Sequence, residues 1–205
     1  MELRDKNGLT EAEFLAAYDE NRYRHPSVTV DMAIFTRTAD GKIGVMLIKR
    51  ANHPFLGGWA LPGGFVDMDE DIEDAARREL MEETGVASAQ LKQVHTFGAV
   101  GRDPRTRVIS VLYTAVLDNT APCAGDDAAD ARLFTLTVRR RECGENRTEY
   151  DITAANDELG VTLSASLLRE CDGIYEKISR LGTCGFASDH GEMLLYALMA
   201  AELAK

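Results

Sequence analysis

No uncharged apolar run in this 205-residue sequence approaches the ~20 residues needed to span a bilayer. The stretch Met1 to Asn7 is polar and lacks the apolar segment of an export signal. Membrane partners and export are therefore not expected, and a cytoplasmic location is. The Asn146-Arg147-Thr148 sequon then carries no glycan. Cysteine is scarce. Cys123, Cys143, Cys171 and Cys184 include no pair at zinc-type spacing. Their scatter suggests thiols in a reducing compartment rather than a disulfide framework. Positive charge is also short, with 23 Lys and Arg against 34 Asp and Glu, a net charge of −11. Such a chain repels a phosphate backbone, so no nucleic-acid partner is expected. A small phosphorylated ligand stays compatible if a cation mediates. Internal repeats and low-complexity segments are missing as well.

The sequence is otherwise of ordinary globular composition, 45% hydrophobic and 28% charged. Thr10 to Tyr23 reads as a helix, with Thr10 and Glu13 as a capping box and Phe14, Leu15, Ala17 and Tyr18 as its apolar stripe. Ser27–Arg37 and Ile43–Ile48 read as strands of a hairpin around Asp40-Gly41. Ala51 to Gly64 is a Gly- and Pro-rich loop. Asp71–Thr84 is a helix stopped by Gly85. Leu91–Val100 and Arg107–Leu117 read as strands, and Arg132–Val138 as a short one. Thr148–Ala154 and Val161–Ser166 pair as a hairpin around Asn156-Asp157. Asp189–Ala204 is a closing helix, capped by Ser188 or Asp189, with Met193, Leu194, Ala197, Leu198 and Ala201 on one side. Strands mixed with a few helices imply an α/β or α+β architecture.

Chemistry concentrates between Gly63 and Val86. From Asp67 to Glu83 nine carboxylates face two arginines, a local net charge of −7. On a helix, Glu79, Glu82 and Glu83 share one side, while Ile72, Ala76 and Leu80 form the neighbouring core-facing stripe. Like charges at these spacings repel, and Arg78 neutralises one carboxylate rather than three. A hard divalent cation suits the remainder, because Mg²⁺ takes oxygen ligands, keeps waters and bridges to phosphates. Gly63 and Gly64 allow close backbone approach, and a loop carbonyl adds a further oxygen ligand.

Gly64, five residues, Glu70, seven residues, then Arg78-Glu79-Leu80-Met81-Glu82-Glu83-Thr84-Gly85-Val86 resembles the complete Nudix box. The preceding Trp59-Ala60-Leu61-Pro62-Gly63 agrees with it, and the resemblance covers about Ser27 to Leu136. It implies an α/β/α sandwich around a mixed sheet, here with an added N-terminal helix and a C-terminal hairpin and helix. It also implies hydrolysis of a nucleoside diphosphate linked to another group X. Carried onto this sequence, the Mg²⁺ (or Mn²⁺) ligands are Glu79 and Glu83, with Glu82 close by and the Gly63 carbonyl joining. Arg78 orients the glutamates, and Glu70 and Gly85 are structural positions of the box.

The turn Gly101-Arg102-Asp103-Pro104-Arg105-Thr106-Arg107 resembles that of ADP-ribose pyrophosphatases and close relatives. ADP-ribose, split into AMP and ribose 5-phosphate, is the substrate this implies. Arg102, Arg105 and Arg107, together with Arg50 and Gly64, are the expected substrate contacts, since a guanidinium suits bidentate phosphate binding. The general base is left between Glu82 and a carboxylate of the acidic loop, Asp126, Asp127 or Asp130. Asp130 stands where relatives carry a glutamate. His190 beside Asp189 reads as a cap or a satisfied surface group rather than a catalyst, and Trp59 and Phe55 as packing residues. The Arg139-Arg140-Arg141 run reads as a solvated face.

Three parts are expected: an N-terminal helical extension over 1–26, a Nudix core over 27–138 and a C-terminal elaboration over 139–205. Either the first or the 139–183 stretch is expected to build a homodimer interface. Rival readings are a ligand-sensing transcription regulator, a sibling enzyme for oxidised nucleoside triphosphates or nucleotide sugars, and a non-catalytic binding module. The regulator reading predicts a basic C-terminal domain, and the third has no need of three close glutamates.

Overall fold

The computed structural model describes residues 2–37, 41–118 and 131–204. Its strands are β1 (Ser27–Arg37), β2 (Ile43–Lys49), β3 (Trp59–Ala60), β4 (Gly63–Phe65), β5 (Lys92–Phe97), β6 (Val108–Asp118), β7 (Arg132–Gly144), β8 (Arg147–Asn156), β9 (Val161–Asp172) and β10 (Tyr175–Cys184). The α-helices are α1 (Glu11–Ala16), α2 (Ile72–Thr84) and α3 (His190–Ala200). The sheet runs β10-β9-β8-β7-β2-β1-β6-β5, with β3 added to β2 and β4 to β1. It is mixed: β1 lies parallel to β6 and antiparallel to β2 and β4.

β1 explains the sandwich. Its side chains alternate between two cores. Val30, Met32 and Ile34 join Ala75, Ala76 and Leu80 of α2 on one face. Ala33 and Phe35 join Met193, Leu194 and Leu198 of α3 on the other. A strand buried on both faces reads as a near-continuous apolar run, and Val28 to Phe35 does so, broken by Thr29 and Asp31. Phe134 on β7 is fully buried against the edge of Trp59 at 4.8 Å between ring centroids. Truncating it to alanine would cost about 3–5 kcal/mol.

The helix that carries the acidic face forms as expected. Gly85 adopts the left-handed conformation at φ 71° and donates its N–H to the Met81 carbonyl. Several other expectations need correction. The Thr10 capping box is present, with the Thr10 N–H donating to Glu13 at 2.8 Å. The helix it opens is six residues long, not fourteen, and a 3-10 turn follows at Glu20–Arg22. Its apolar stripe does not pack: Phe14, Leu15 and Tyr18 are all exposed.

The strand starting at Arg132 is not short. It continues into the polar 139–144 segment and pairs with β8, with Arg141 opposite and ion-paired to Glu149. The C-terminal hairpin is longer than expected, and β10 adds a strand the sequence does not signal. β10 is an edge strand with a register shift between Arg180 and Cys184, and Ile178 is its buried side chain, so its period of two is blurred. α3 stops at Ala200 rather than Ala204, with Leu203 turning back to donate its N–H to Leu198. Asp189 stands at its N-cap but makes no side-chain cap bond. Cys143, Cys171 and Cys184 are free thiols. Among the described residues no helix is long and apolar enough to cross a membrane.

Candidate active site

The short strand β4 and the helix α2 place the acidic face. Asp31 pairs with Gly63 across β1 and β4. A Cβ on Gly63 would lie 2.1 Å from the Val30 carbonyl oxygen, so this backbone approach requires glycine. A Cβ on Gly64 would lie 2.2 Å from Oε1 of Glu79. The two glycines thus bring the strand onto the carboxylates of α2. The Gly63 N–H donates to Oε2 of Glu83 at 2.7 Å.

Arg78 organises the rest. Its Nε and Nη2 donate to both oxygens of Glu70, at 3.1 and 2.5 Å. Nη1 donates to Glu79 at 2.8 Å and Glu82 at 3.3 Å, and Nη2 to the Phe65 carbonyl at 3.1 Å. Glu70 also accepts from the Asp67 N–H at 2.9 Å. These bonds pull the Glu70 carboxyl below its usual range, with Arg78 the largest cause, and raise Arg78. Glu83 moves the other way, up to about 8. Desolvation is the largest cause, and the charges of Glu79 and Asp31 add to it, against the Gly63 amide and Arg50.

This donor set suits a hard divalent cation in kind. Glu83 is a carboxylate whose charge is disfavoured by burial and by like charges, and a cation there relieves both. Among the described residues, no three such side chains already converge as a metal cage. Arg78 and the Gly63 amide hold Glu79 and Glu83 in their present places.

A cleft of about 340 Å³ opens beside this face. Its wall includes Arg50, Phe55, Gly64 and Glu83, the Arg102 and Arg105 side of the 98–107 turn, and Ser188 and His190. Arg50 donates to the Pro54 carbonyl at 2.9 Å, which folds the 51–57 loop against the cleft. Arg102 and Arg105 reach the cleft already paired. Arg102 forms a bidentate pair with Asp189, both bonds at 2.8 Å. That pair explains why Asp189 does not cap α3. Arg105 grips Asp103 and lies 5.3 Å from the Phe65 ring centre. Arg107 is not among the residues lining the cleft. It donates to the Gly98 and Ala99 carbonyls and ties the turn shut. Asp126, Asp127 and Asp130 lie outside the described residues.

Three residues that the sequence does not single out as functional stand in this wall or directly behind it. Asp31 is buried and accepts from the Ser110 hydroxyl. His190 is buried, not a surface group, and its Nδ1 accepts the Leu61 N–H at 3.0 Å. Its Nε2 faces Oδ1 of Asp31 at 3.9 Å. Burial holds the imidazole below its usual pKa. One sequence signal was available for Asp31: a carboxylate inside an apolar strand must have a partner. Trp59 is buried, as a packing residue should be.

The NUDIX domain family matches residues 26–148. The ADPR responsive transcriptional repressor NtrR of Acinetobacter baylyi is 44% identical over 114 residues, 55% of this chain and 45% of that protein. The ADP-ribose pyrophosphatase of Methanocaldococcus jannaschii is 43% identical over 114 residues, 56% of this chain and 64% of that protein. The chain therefore spans less than two thirds of the length of either relative. Among solved structures, a MutT/nudix family protein from Enterococcus faecalis superposes with a TM-score of 0.71 at 33% identity, covering 95% of this chain and 70% of that one. The NUDIX domain of Shewanella oneidensis NrtR, complexed with ADP ribose, gives 0.65 at 28% identity, covering 94% of this chain and 99% of that one.

Proposed function

The chain belongs to the NUDIX domain family, and from that premise we propose that it hydrolyses the diphosphate bond of a nucleoside diphosphate linked to X, with ADP-ribose as the substrate. The observation that carries this reading is the box itself. Glu79 and Glu83 flank a glycine strand, Arg78 holds the first and the Gly63 amide the second, and arginines stand in the wall of the cleft beside them.

In this reading Glu79, Glu82 and Glu83, with the Gly63 carbonyl, hold Mg²⁺ or Mn²⁺. Bound there, the cation neutralises the diphosphate and lowers the pKa of a water. The chain's own residues do the positioning. The Gly63 amide fixes one Glu83 oxygen and leaves the other open. Glu70 holds Arg78, which holds Glu79. Glu82 is the most solvent-open of the three, with 58% of its side chain exposed, and is the described candidate for general base. Arg50 and Arg105 border the cleft where a diphosphate would lie. Arg102 serves instead to hold the 98–107 turn against α3, through Asp189.

Relatives named as an ADP-ribose pyrophosphatase and as an ADPR responsive repressor both support ADP-ribose as the ligand. The second keeps a sensing role as the alternative, and with it a nucleic-acid partner. The two separate in one experiment. ADP-ribose binding is measured by calorimetry, and turnover with Mg²⁺ is followed on ADP-ribose, nucleotide sugars and 8-oxo-dGTP. Binding with turnover supports the enzyme. Tight binding without turnover of any compound supports the sensor. Preference for the triphosphate replaces the substrate assignment.

A further inference from the structure

The segment between β3 and β4 has an uncommon demand. Leu61 is buried, and its N–H lies outside the strand ladders that flank it. Pro62 follows and has no N–H at all. A buried amide without a partner is strongly disfavoured, so something must accept from Leu61. That acceptor is Nδ1 of His190, 129 residues away. With Nδ1 accepting, the neutral ring carries its proton on Nε2, which faces the Asp31 carboxylate. Asp31 is in turn held by Ser110 and pressed against the Gly63 backbone, where a Cβ would lie 2.9 Å from the Asp31 Cα.

The segment is pinned at three further points. Met32 donates to the Pro62 carbonyl at 2.8 Å, and Ala187 donates to the Trp59 carbonyl at 2.8 Å. Gly63 donates to Glu83. His190 and Glu83 are the side chains among these anchors, and His190 reaches the segment two residues before the amide that fixes Glu83.

We infer that His190 is a positioning residue, which holds Leu61–Gly63 through the Leu61 amide so that the Gly63 amide keeps the Glu83 carboxylate aimed at the cation site. This rests on the metal site proposed above, though not on the identity of the substrate. It also gives α3 a role beyond packing, since the start of this helix supports the box from outside it.

The test uses the full chain with Mn²⁺ as the probe, bound without substrate and followed by electron paramagnetic resonance. Three variants dissect the ring. Asparagine places an oxygen near the Nδ1 position, glutamine places its polar group near Nε2, and leucine supplies neither. His190→Leu and His190→Gln should weaken Mn²⁺ binding by about 10–100-fold. His190→Asn should restore it to within a few-fold. The Leu61 and Gly63 amide resonances should shift in the first two and return in the third. Leu198→Ala, which loosens α3 at a distance, should lower the melting temperature and leave the Mn²⁺ affinity in place. If the three His190 variants bind Mn²⁺ like the wild type, or lose affinity only in step with melting temperature, the inference is overturned. Wild-type Mn²⁺ binding with this variant pattern, but no turnover of any substrate, would sink the hydrolase reading and leave the positioning role standing.

Discussion

Gly63 and Glu83 are twenty residues apart in the chain, and the amide of one lies 2.7 Å from the carboxylate of the other. The bond needs a strand that approaches the helix closely, and Gly63 and Gly64 provide it. It fixes one oxygen of Glu83, the one acidic side chain among the described residues whose pKa is driven up to about 8. Everything proposed for this protein turns on that carboxylate.

Glu83→Gln keeps the shape of the side chain and an oxygen for the Gly63 amide, while removing the charge. Loss of a metal-ligand charge should lower kcat by about 10³-fold or more, on the order of 4 kcal/mol. Circular dichroism should show an unchanged fold. A near-normal rate would remove Glu83 from the metal site.

The two glycines should fail differently when changed to alanine. At Gly64 the new Cβ meets the end of Glu79, a side chain that can swing away. The fold should survive while the Mg²⁺ concentration for half-maximal activity rises. At Gly63 the Cβ meets the Val30 carbonyl and the Asp31 Cα, both backbone. That change should destabilise the protein by about 2–4 kcal/mol. Thermal melting beside a Mg²⁺ titration separates the two cases.

Much of this site was legible from residue spacing. The acidic helix face, the glycine lead-in and the Gly85 stop all follow from side-chain periodicity and backbone sterics, and they appear where expected. What lay hidden depends on contacts between distant segments. Nothing near Asp189 announces that Arg102 will occupy it, and nothing near Arg107 announces that it will close its own turn. His190 looks like a helix cap until the Leu61 amide arrives from across the fold. β10 is missed because an edge strand with one buried side chain carries little alternation. The first helix is overextended because an apolar stripe predicts burial without saying what covers it. The strand that begins at Arg132 is cut short for the opposite reason. Its polar half pairs through backbone bonds and an arginine-glutamate contact, not through apolar alternation.

Arg78→Lys keeps the charge and loses the fork. Lysine cannot hold both Glu70 oxygens, Glu79 and the Phe65 carbonyl at once. Stability should fall by about 1–3 kcal/mol, and the Mg²⁺ requirement should rise with it. Chemical denaturation and a metal titration check the two effects. An unchanged Mg²⁺ requirement would confine Arg78 to a structural role.

Acid should destabilise the fold through His190. Burial keeps its ring neutral in the folded protein, with a pKa below the ordinary 6.5; that desolvation outweighs the upward pull of the facing Asp31 and Asp189, and Arg102 and Arg50 add smaller downward pulls. Below pH 6.5 the unfolded chain takes up a proton that the folded one refuses, so this contribution to stability falls as pH drops toward the folded pKa. The melting temperature of the wild type should drop more between pH 7.5 and 5.5 than that of His190→Asn. Equal drops would place the imidazole in contact with solvent.

Phe14 and Leu15 on α1, with Tyr18 just beyond its end, leave an apolar face exposed. A homodimer that covers this face is the predicted solution state, and light scattering at micromolar concentration measures it. A monomer would contradict the prediction, and a dimer unaffected by Leu15→Glu would move the interface elsewhere.

The central claim is hydrolysis at the Glu79–Glu83 site, and the direct test is release of AMP and ribose 5-phosphate from ADP-ribose, resolved by chromatography. With Mg²⁺ the wild type should give both products in equal amounts, and chelation or Glu83→Gln should stop their release. Intact ADP-ribose after prolonged incubation with Mg²⁺ or Mn²⁺ would contradict the account.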